Sequence, residues 1–462
     1  MRRTTTLTAS ALLGLALLTP TAPASAAAET CRGEAATLVG TTPTLTGTEG
    51  RDVIVTGTSG DVAGLGGDDL ICVTGGRNIN LLSVDAGPGN DTVDTTAAPR
   101  GFYVTTDLGL GADTFVGGPA ADTVTTGPEA SDAVDDERDV VHTGEGDDRV
   151  ATGASYYETN PDVVDTGAGD DRVELFTWQT APDGLVTGGA GLDTLETTSS
   201  IAYVEMYVDM AAGTIDGISP KEFDGSLQAR FSYFEALELG VHDEEVSYRG
   251  TTGDDVLELQ QLRPGCCEGR HPLLRAETSD GDDQVRVRGE LDSGSRVDLG
   301  QGRDEIVAAV DDGVLGVDLE QGTLWSGNGE RADAVGIEDA VLMGPRVIAV
   351  GNDRGNRLVA NACRAALRGG RGHDYLTHVS GDPWWEEYEL DCSGRVVAYG
   401  GPGKDRIRGS QGKDRLDGQG GNDALEGRGG NDVLLGGGGR DKADGGKGRD
   451  RCTAERERRC ER

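Results

Sequence analysis

The chain has 462 residues, of which 74 are glycine and only 4% are aromatic, and 42 Lys and Arg stand against 81 Asp and Glu, for a formal charge of −39. Glycine is at roughly twice its average abundance of about 7%, which disfavours an ordinary globular enzyme, while Gly and Pro together stay below the level of low-complexity disorder. The acidity repels nucleic acid and anionic lipid, and it indicates either bound cations as counter-charge or simple solubility outside the cell.

Residues 1–26 have the pattern of a secretory signal peptide. Two arginines at 2–3 precede an apolar run over 9–18, and Ala-Ser-Ala at 24–26 fits a small-residue cleavage site. The apolar run is too short to span a bilayer, and the threonines at 4–6 depart from the twin-arginine signal, which favours general secretion. Since no other transmembrane stretch follows, we expect a secreted, extracellular protein.

Eight cysteines follow the signal peptide, an even number that indicates disulfides in an oxidising compartment. The sequence cannot choose rigorously among their pairings, but proximity favours Cys31–Cys72, Cys363–Cys392 and Cys452–Cys460. The pairing of the vicinal Cys266-Cys267 stays open. A zinc site is disfavoured because the chain has no CxxC motif and only five His.

A nine-residue unit with a Gly-x-Asp core recurs from residue 47 onwards, for example GLGGDDLIC at 64–72 and SDGDDQVRV at 279–287. Twelve such units precede residue 400. Their core aspartates are Asp52, Asp69, Asp91, Asp113, Asp122, Asp148, Asp171, Asp193, Asp255, Asp283, Asp304 and Asp374. Asp148, Asp171 and Asp193 lie 23 and 22 residues apart, and D-V-V-x-T-G-x-G-D-D-R-V at 139–150 recurs at 162–173. This period predicts a wide parallel β-helix coil with one such turn per coil.

The stretch from 205 to 360 contains an internal duplication. The motif V-D-x-x-x-G-T, then an apolar residue followed by Glu, then a Gly-rich turn occur twice in this order: at 208–214, 234–235 and 253–257, and again at 317–323, 337–338 and 355–358. In the second copy Asn356 stands where an Asp is expected. We therefore expect no metal site at that turn.

Six nonapeptides follow one another without a gap over 400–453: GGPGKDRIR, GSQGKDRLD, GQGGNDALE, GRGGNDVLL, GGGGRDKAD and GGKGRDRCT. Glycine supplies left-handed backbone and close approach, and Asp supplies the oxygen ligand that suits Ca²⁺. The apolar residue at position eight is predicted to enter a narrow core. Two nonapeptides per coil would stack residues 18 apart at the strand spacing of about 4.8 Å. One side would then carry Asp405, Asp423 and Asp441, and the other Asp414, Asp432 and Asp450.

This G-G-x-G-x-D-x-U-x pattern resembles the repeats-in-toxin (RTX), or haemolysin-type, calcium-binding repeat family. The resemblance implies an all-β fold, a parallel β-roll or β-helix solenoid whose turns bind Ca²⁺ through backbone carbonyls and the position-six Asp. It assigns that ligand role to the eighteen aspartates named above. Position five departs from the family's Asn or Asp in four of the tandem units, and a cation there should weaken binding. These residues are Lys404, Lys413, Arg440 and Arg449.

We interpret about 40–452 as largely one solenoid. Behind the signal peptide, 27–196 is an N-terminal solenoid with scattered repeats, and 197–399 is a duplicated spacer-plus-repeat region with a disulfide-bounded insertion. The six tandem repeats occupy 400–453, and 454–462 is a basic cap. Residues from 400 onwards include 15 basic and 12 acidic side chains, net +3, which leaves −42 for the rest of the chain.

Two classes of function remain open. The first is a non-enzymatic, secreted calcium-binding protein of a surface or matrix; the second is a β-helix lyase, epimerase or glycosidase acting on extracellular polysaccharide. The chain has no HExxH or GxSxG motif, and His142 and His373 fall at predicted turn positions, which favours the first class. Trp384-Trp385-Glu386-Glu387-Tyr388 could stack on a sugar or pack on the solenoid. The basic C-terminus could bind an acidic wall polymer or serve only as a solvated cap.

Overall fold

The computed structural model describes residues 29–75, 80–127, 135, 137–153, 160–175, 184–198, 205–218, 226–241, 245–261, 271–327, 329–380, 390 and 392–461. Every regular element among them is a β-strand, and no helix in this part of the chain could cross a membrane. The predicted signal peptide, Cys266-Cys267 and the segment 384–388 lie outside the described residues.

The strands of the N-terminal region are short. They are β1 (Thr30–Cys31), β2 (Glu34–Ala35), β3 (Leu38–Val39), β4 (Thr44–Thr46), β5 (Val53–Val55), β6 (Asp61–Ala63), β7 (Leu70–Cys72), β8 (Leu81–Asp85), β9 (Thr92–Asp94), β10 (Tyr103–Asp107), β11 (Thr114–Val116), β12 (Ala121–Thr125), β13 (Val140–His142), β14 (Arg149–Thr152), β15 (Val163–Ala168), β16 (Arg172–Leu175), β17 (Leu185–Ala190) and β18 (Thr194–Thr198).

The middle region includes the longest strands. They are β19 (Glu205–Asp209), β20 (Thr214–Ile218), β21 (Ser226–Ser232), β22 (Ala236–Val241), β23 (Glu245–Arg249), β24 (Val256–Gln261), β25 (Leu273–Glu277), β26 (Gln284–Arg288), β27 (Arg296–Asp298), β28 (Glu305–Ala309), β29 (Val314–Asp318), β30 (Thr323–Ser326), β31 (Glu330–Val335), β32 (Asp339–Val350), β33 (Arg357–Arg368) and β34 (Tyr375–His378).

The C-terminal region returns to short strands. They are β35 (Val396–Gly403), β36 (Arg406–Arg408), β37 (Arg415–Gly421), β38 (Ala424–Glu426), β39 (Gly429–Gly430), β40 (Val433–Leu435), β41 (Gly438–Gly439), β42 (Lys442–Asp444), β43 (Lys447–Gly448), β44 (Arg451–Thr453) and β45 (Arg456–Arg458).

Successive strands alternate between two columns, and within a column each strand pairs in parallel with its equivalent one coil later. The first column begins with β3, β5, β7, β9, β11, β13, β15 and β17. The second runs without interruption from β4 through β6, β8, β10, β12, β14, β16, β18, β22, β24, β26, β28, β32, β33, β34, β36, β38 and β42 to β45. The predicted all-β parallel solenoid is confirmed.

The register follows the repeat length of the sequence. In the tandem block Ile407 pairs with Leu425, 18 residues later, and upstream Val93 pairs with Phe115, 22 residues later. These side chains belong to one apolar core that lies between the columns, and Val93, Phe115 and Ile407 have no exposed area. Because the side chains of a strand alternate in direction, the residue two places after each position-six Asp always enters this core.

The duplicated spacers form two antiparallel meanders inserted in the first column. Strands β19, β20 and β21 pair antiparallel in the first copy, and β29, β30 and β31 do so in the second. The V-D-x-x-x-G-T motif spans the first turn of each, where Asp209 Oδ1 accepts a hydrogen bond from the Ala212 N–H and Asp318 Oδ1 accepts one from the Gln321 N–H. The duplication seen in the sequence is thus a structural repeat.

All three predicted disulfides are present, with Cα–Cα distances of 5.5–5.8 Å. They join Cys31 to Cys72, Cys363 to Cys392 and Cys452 to Cys460, which fits an oxidising environment. Near the second bridge, Val379 and Leu390 pack on an apolar patch on the other face of the strands that includes Val307 and Met343. The described ends of the 363–392 insertion therefore cover the outside of the solenoid.

Candidate metal centre

The position-six aspartates form rows along the solenoid. Each one stands at the start of a strand, so that equivalent residues of successive coils lie over one another. In every step between two aspartates, the backbone N–H of one donates to Oδ1 of the aspartate one coil later, over 2.6–3.0 Å. The carboxylate thereby satisfies a backbone donor that the turn leaves unpaired.

A first row stands before the first-column strands, and a second before those of the second column. The first contains Asp52, Asp69, Asp91, Asp113, Asp139 and Asp162. The second contains three runs: Asp122, Asp148, Asp171, Asp193 and Glu235; then Asp255, Asp283, Asp304 and Glu338; then Asn356, Asp374, Asp405, Asp423, Asp441 and Glu455. A third row, before first-column strands of the tandem block, contains Asp414, Asp432, Asp450 and Glu461.

The structure brings all eighteen predicted aspartates into these rows, and it adds members that the pattern missed. The added members are Asp139, Asp162, Glu235, Glu338, Glu455 and Glu461. Asp139 and Asp162 open the duplicated D-V-V segments, and Glu235 and Glu338 are the Glu of the apolar-Glu motif, so signals for these four were visible.

Two expectations need correction. One such turn per wide coil is wrong for the coil that holds both Asp113 and Asp122, because both columns start with a predicted aspartate there. In the coils of Asp148 and Asp171 the first column starts with a further row aspartate, Asp139 or Asp162, which no Gly-x-Asp unit precedes. The unit expected at 279–287 begins one residue earlier, since Asp283 takes position six. Upstream coils therefore vary in how many carboxylates they present.

Most aspartates in the rows have one buried carboxylate oxygen without a hydrogen-bond partner. In fifteen of the eighteen predicted aspartates one oxygen has no hydrogen-bond partner. These are Asp69, Asp91, Asp113, Asp122, Asp148, Asp171, Asp193, Asp283, Asp304, Asp374, Asp405, Asp423, Asp432, Asp441 and Asp450. An unsatisfied buried acceptor costs about 1–3 kcal/mol and more when it is charged, so repetition of this feature along a row points to a ligand.

Glycines shape the space around these oxygens. A Cβ on Gly418 would lie 2.4 Å from Asp423 Oδ2, and a Cβ on Gly421 would lie 1.3 Å from the carbonyl oxygen of Gly403, one coil away. Gly421 also has a φ of +136°, in the region that favours glycine. The tandem turns thus bring backbone carbonyls and carboxylates close together, and only glycine fits between them.

Burial makes ionisation of the rows unfavourable. Loss of solvent raises the pKa of Asp91 and Asp432 to about 7, and of Asp113 and Asp122 to about 8. Bonds from backbone N–H groups counteract this for Asp91, Asp113 and Asp432, while neighbouring row carboxylates raise the pKa further. A cation beside the row would favour the ionised form.

The donor set fits Ca²⁺, a hard cation that takes six to eight oxygen ligands. Among the described residues, no three His, Cys, Asp or Glu side chains converge on one metal position. An ion would therefore depend on backbone carbonyls of the glycine turns in addition to the row carboxylates. Bound there, Ca²⁺ supplies positive charge to a stack of carboxylates that otherwise repel each other.

Three predicted ligands do not share this feature. Asp52 accepts hydrogen bonds from the Thr48 N–H and hydroxyl, Asp255 accepts them from Thr251, and Asp414 accepts them from Ser410. Each is the first aspartate of a run, and a hydroxyl residue stands four places before it. Oδ2 of each carboxylate is thus already satisfied within its own turn.

Asn356 lies in the second row, as its position in the sequence indicates. Its Oδ1 accepts from the Asn352 N–H at 2.8 Å, and its Nδ2 donates to the Glu338 carbonyl at 2.7 Å. Both ends of the amide are therefore satisfied. The absence of a metal site at this turn stays a prediction.

The residues at position five of successive coils are also hydrogen-bonded to one another, in an exposed line beside the rows. The Asn90 N–H donates to Asp68 Oδ1 at 3.0 Å, and the Arg440 N–H donates to Asn422 Oδ1 at 2.9 Å. The side chains of Lys404 and Arg440 are exposed. Asn and Asp at this position thus have a backbone partner of their own, whereas Lys and Arg there extend into solvent.

The histidines singled out in the sequence have structural contacts. His373 Nδ1 accepts from the Lys404 N–H at 2.9 Å, within the line of position-five residues. His142 ends strand β13 rather than lying in a turn, and its Nδ1 lies 3.6 Å from Asp165 Oδ2. Register explains the difference, because His142 pairs directly with Asp165 of β15.

Comparison with known families agrees with the geometry. The family model of the RTX calcium-binding nonapeptide repeat matches the chain in four copies, at 108–128, 135–155, 399–434 and 417–452. No curated protein matches the chain. The matched segments include Asp122 and Asp148 of the second row and all six tandem repeats but the end of the last. The chain therefore carries RTX calcium-binding nonapeptide repeats, wound into a parallel β-solenoid.

Proposed function

We propose that this is a secreted calcium-binding protein whose solenoid folds around Ca²⁺ held along the aspartate rows. The ligands are the fifteen predicted aspartates with an unpaired oxygen, together with carbonyls of their glycine turns. The single observation that supports this most directly is the repetition of that buried, unpaired oxygen from coil to coil. Asp52, Asp255 and Asp414 are left out because Thr or Ser already satisfies them.

We further propose a non-enzymatic role at a cell surface or in a matrix. The second-column strands carry carboxylates on adjacent strands, which a polysaccharide-active enzyme could use. There, however, Arg172 pairs with Glu196 at 2.7 Å, and Arg286 pairs with Glu258 at 3.2 Å. Carboxylates neutralised in this way are poor general bases.

The division of the chain at 196/197 and 399/400 stays a prediction.

Circular dichroism and hydrodynamic radius of the mature chain test the proposal. Extracellular calcium modules bind at about 10⁻⁴–10⁻³ M, so Ca²⁺ at about 5 mM should increase β-structure and compact the chain relative to EDTA. Mg²⁺ at the same concentration is the control, because it demands near-ideal octahedral geometry and dehydrates reluctantly. Identical spectra and radii in EDTA and Ca²⁺ would overturn the proposal.

A further inference from the structure

A groove of about 660 Å³ lies on the second-column face of the tandem block. Its floor is a row of residues that pair across adjacent strands, in the order Arg406, Ala424, Lys442 and Arg456. The first three are position-seven residues of their nonapeptides, and Arg456 belongs to the basic cap. The small Ala424 leaves a notch between Arg406 on one side and Lys442 on the other. All four side chains are exposed.

The groove is locally basic in an acidic protein. Six of its lining side chains are cationic, and four are anionic. Glu426 and Asp444 are already paired, with Arg408 at 3.2 Å and with Arg458 at 3.9 Å. Among the described residues, no carboxylate forms an ion pair with Arg406, Lys442 or Arg456. These three cations are therefore available to a ligand, and they attract an anion locally although the rest of the chain, at −42, repels it at long range.

The strand geometry fixes the spacing of these charges. Lys442 and Arg456 stand on neighbouring strands, about 4.8 Å apart, and Arg406 lies two strands from Lys442. At the far end the guanidinium carbons of Arg406 and Arg408 each lie 5.8 Å from the centre of the Tyr375 ring. Such contacts hold the planar side chains in place. The row thus presents three cations in one line to an extended ligand, and the Tyr375 ring orders the one at the far end.

The anionic members of the groove narrow the choice of ligand. Glu426, Asp444 and Asn422 offer hydrogen-bond acceptors beside the cations. Sugar hydroxyls can donate to them, whereas the phosphates of a nucleic acid carry no donor. A ligand that combines carboxylates with hydroxyl groups satisfies both kinds of lining residue.

We propose that this groove binds a strand of acidic polysaccharide, with uronate carboxylates on Arg406, Lys442 and Arg456 and sugar hydroxyls on the neighbouring acceptors. The proposal rests on the proposed function, because the aspartate row sets the register of the strands that build the groove. It adds to that function a binding surface that borders the second row at Asp405, whose unpaired oxygen is buried, and that uses the exposed cations of the neighbouring strands.

The test uses the full mature chain at saturating free Ca²⁺, with a fluorescent hyaluronan oligosaccharide as the probe and fluorescence anisotropy as the readout. The groove variant combines Arg406→Gln, Lys442→Gln and Arg456→Gln. The matched control combines Arg415→Gln, Lys447→Gln and Arg451→Gln, which removes the same charge from exposed residues of the same block outside the groove. A third variant, Ala424→Glu, fills the notch and adds a negative charge.

We expect the groove variant to raise the dissociation constant about tenfold or more, since it removes three charged contacts. Ala424→Glu should do the same, and the control should change affinity by less than about twofold. A labelled maltodextrin should not bind, and an oligothymidylate should bind more weakly than hyaluronan. Equal losses in the groove variant and the control, or tighter binding of the oligothymidylate, would overturn the proposal.

Circular dichroism of the same samples separates the two hypotheses. A chain that gains β-structure with Ca²⁺ but does not bind hyaluronan overturns the groove alone. Spectra that do not change with Ca²⁺ overturn the proposed function, while the comparison between groove variant and control still decides the groove.

Discussion

The buried rows predict opposite pH dependences for the calcium-free and the calcium-loaded protein. Burial raises the folded-state pKa of Asp91 to about 7 and of Asp113 and Asp122 to about 8, whereas the unfolded chain has about 3.9. A raised pKa contributes stability that is fully present below about pH 4 and is lost as the pH rises through about 6 to 8. In the proposed function Ca²⁺ binds the ionised rows, so with calcium the stability should instead increase with pH.

The size of this change in stability depends on the number of buried row carboxyls. A pKa raised from 3.8 to about 7, as for Asp91, corresponds to about 4 kcal/mol, and solvent near the turns reduces this to about 1 kcal/mol per carboxyl. Ionisation of ten or more such carboxyls then costs about 10 kcal/mol of stability. This is as large as the net stability of a typical domain, about 5–15 kcal/mol. Without calcium the solenoid should therefore be unstable at neutral pH.

Thermal unfolding of the mature chain, followed by circular dichroism between about pH 5 and 8.5, tests this reasoning in EDTA and in Ca²⁺. In EDTA we expect Tm to fall as the pH rises, and in Ca²⁺ we expect it to rise. Asp113→Asn and Asp122→Asn should each flatten both trends, since Asn356 shows that an amide fits a row. A Tm in EDTA that increases with pH over this range would show that the rows do not control stability.

Three further predictions concern the turns. Glycine in place of Thr48, Thr251 and Ser410 should add up to three bound Ca²⁺ per chain by native mass spectrometry, because it removes the hydroxyl donors to Asp52, Asp255 and Asp414 and leaves only the backbone N–H of the same turn on each carboxylate; an unchanged count would contradict this. Gly418→Ala should destabilise the calcium-loaded protein by about 1–3 kcal/mol. The control Gly420→Ala should not, because a Cβ on Gly420 meets nothing within 4 Å. Equal effects of the two substitutions on Tm would refute this prediction. Asn at the four basic position-five residues should tighten calcium binding two- to fivefold or so in titration calorimetry, most at low ionic strength; no change would show that solvent screens these exposed charges. The four are Lys404, Lys413, Arg440 and Arg449.

The core and the rows could be predicted because their periodicity is local and strict. In the tandem block a fixed step of nine residues puts Asp before each strand and an apolar residue inside it. Leu416 and Leu434, for example, are both fully buried and directly paired. Once two units make one coil, the strand spacing alone stacks the carboxylates. The disulfides were also accessible, because each joins cysteines close in sequence.

The ends of the rows could not be predicted in the same way, because they depend on contacts between distant residues. Glu235 closes the run that ends at Asp193, 42 residues earlier, and Glu338 closes the run that ends at Asp304, 34 residues earlier. In both cases an antiparallel meander intervenes, so no fixed period connects the partners. The hydroxyl that satisfies Asp52 was local, but only the geometry shows that Thr48 donates to the carboxylate.

Glutamate at the end of a run solves a specific problem of the solenoid. The last aspartate of each run still has a backbone N–H that needs an acceptor, and leaving it buried and unpaired would cost about 1–3 kcal/mol. Glu has one more methylene than Asp, so its carboxylate reaches that N–H from a turn of a different shape. It does so at 3.0 Å from the Asp193 nitrogen and 2.8 Å from the Asp441 nitrogen.

The second column can consequently pass through both spacers and reach the C-terminus without an unpaired donor at these points. Where a run restarts, Thr251 or Asn352 satisfies the first side chain of the new run in the same local way. The proposed function then needs calcium only between these ends, where carboxylates follow one another and nothing else in the described structure neutralises their unpaired oxygens. Cation binding should therefore be cooperative within a run and independent between runs, since only row carboxylates in contact share a charge.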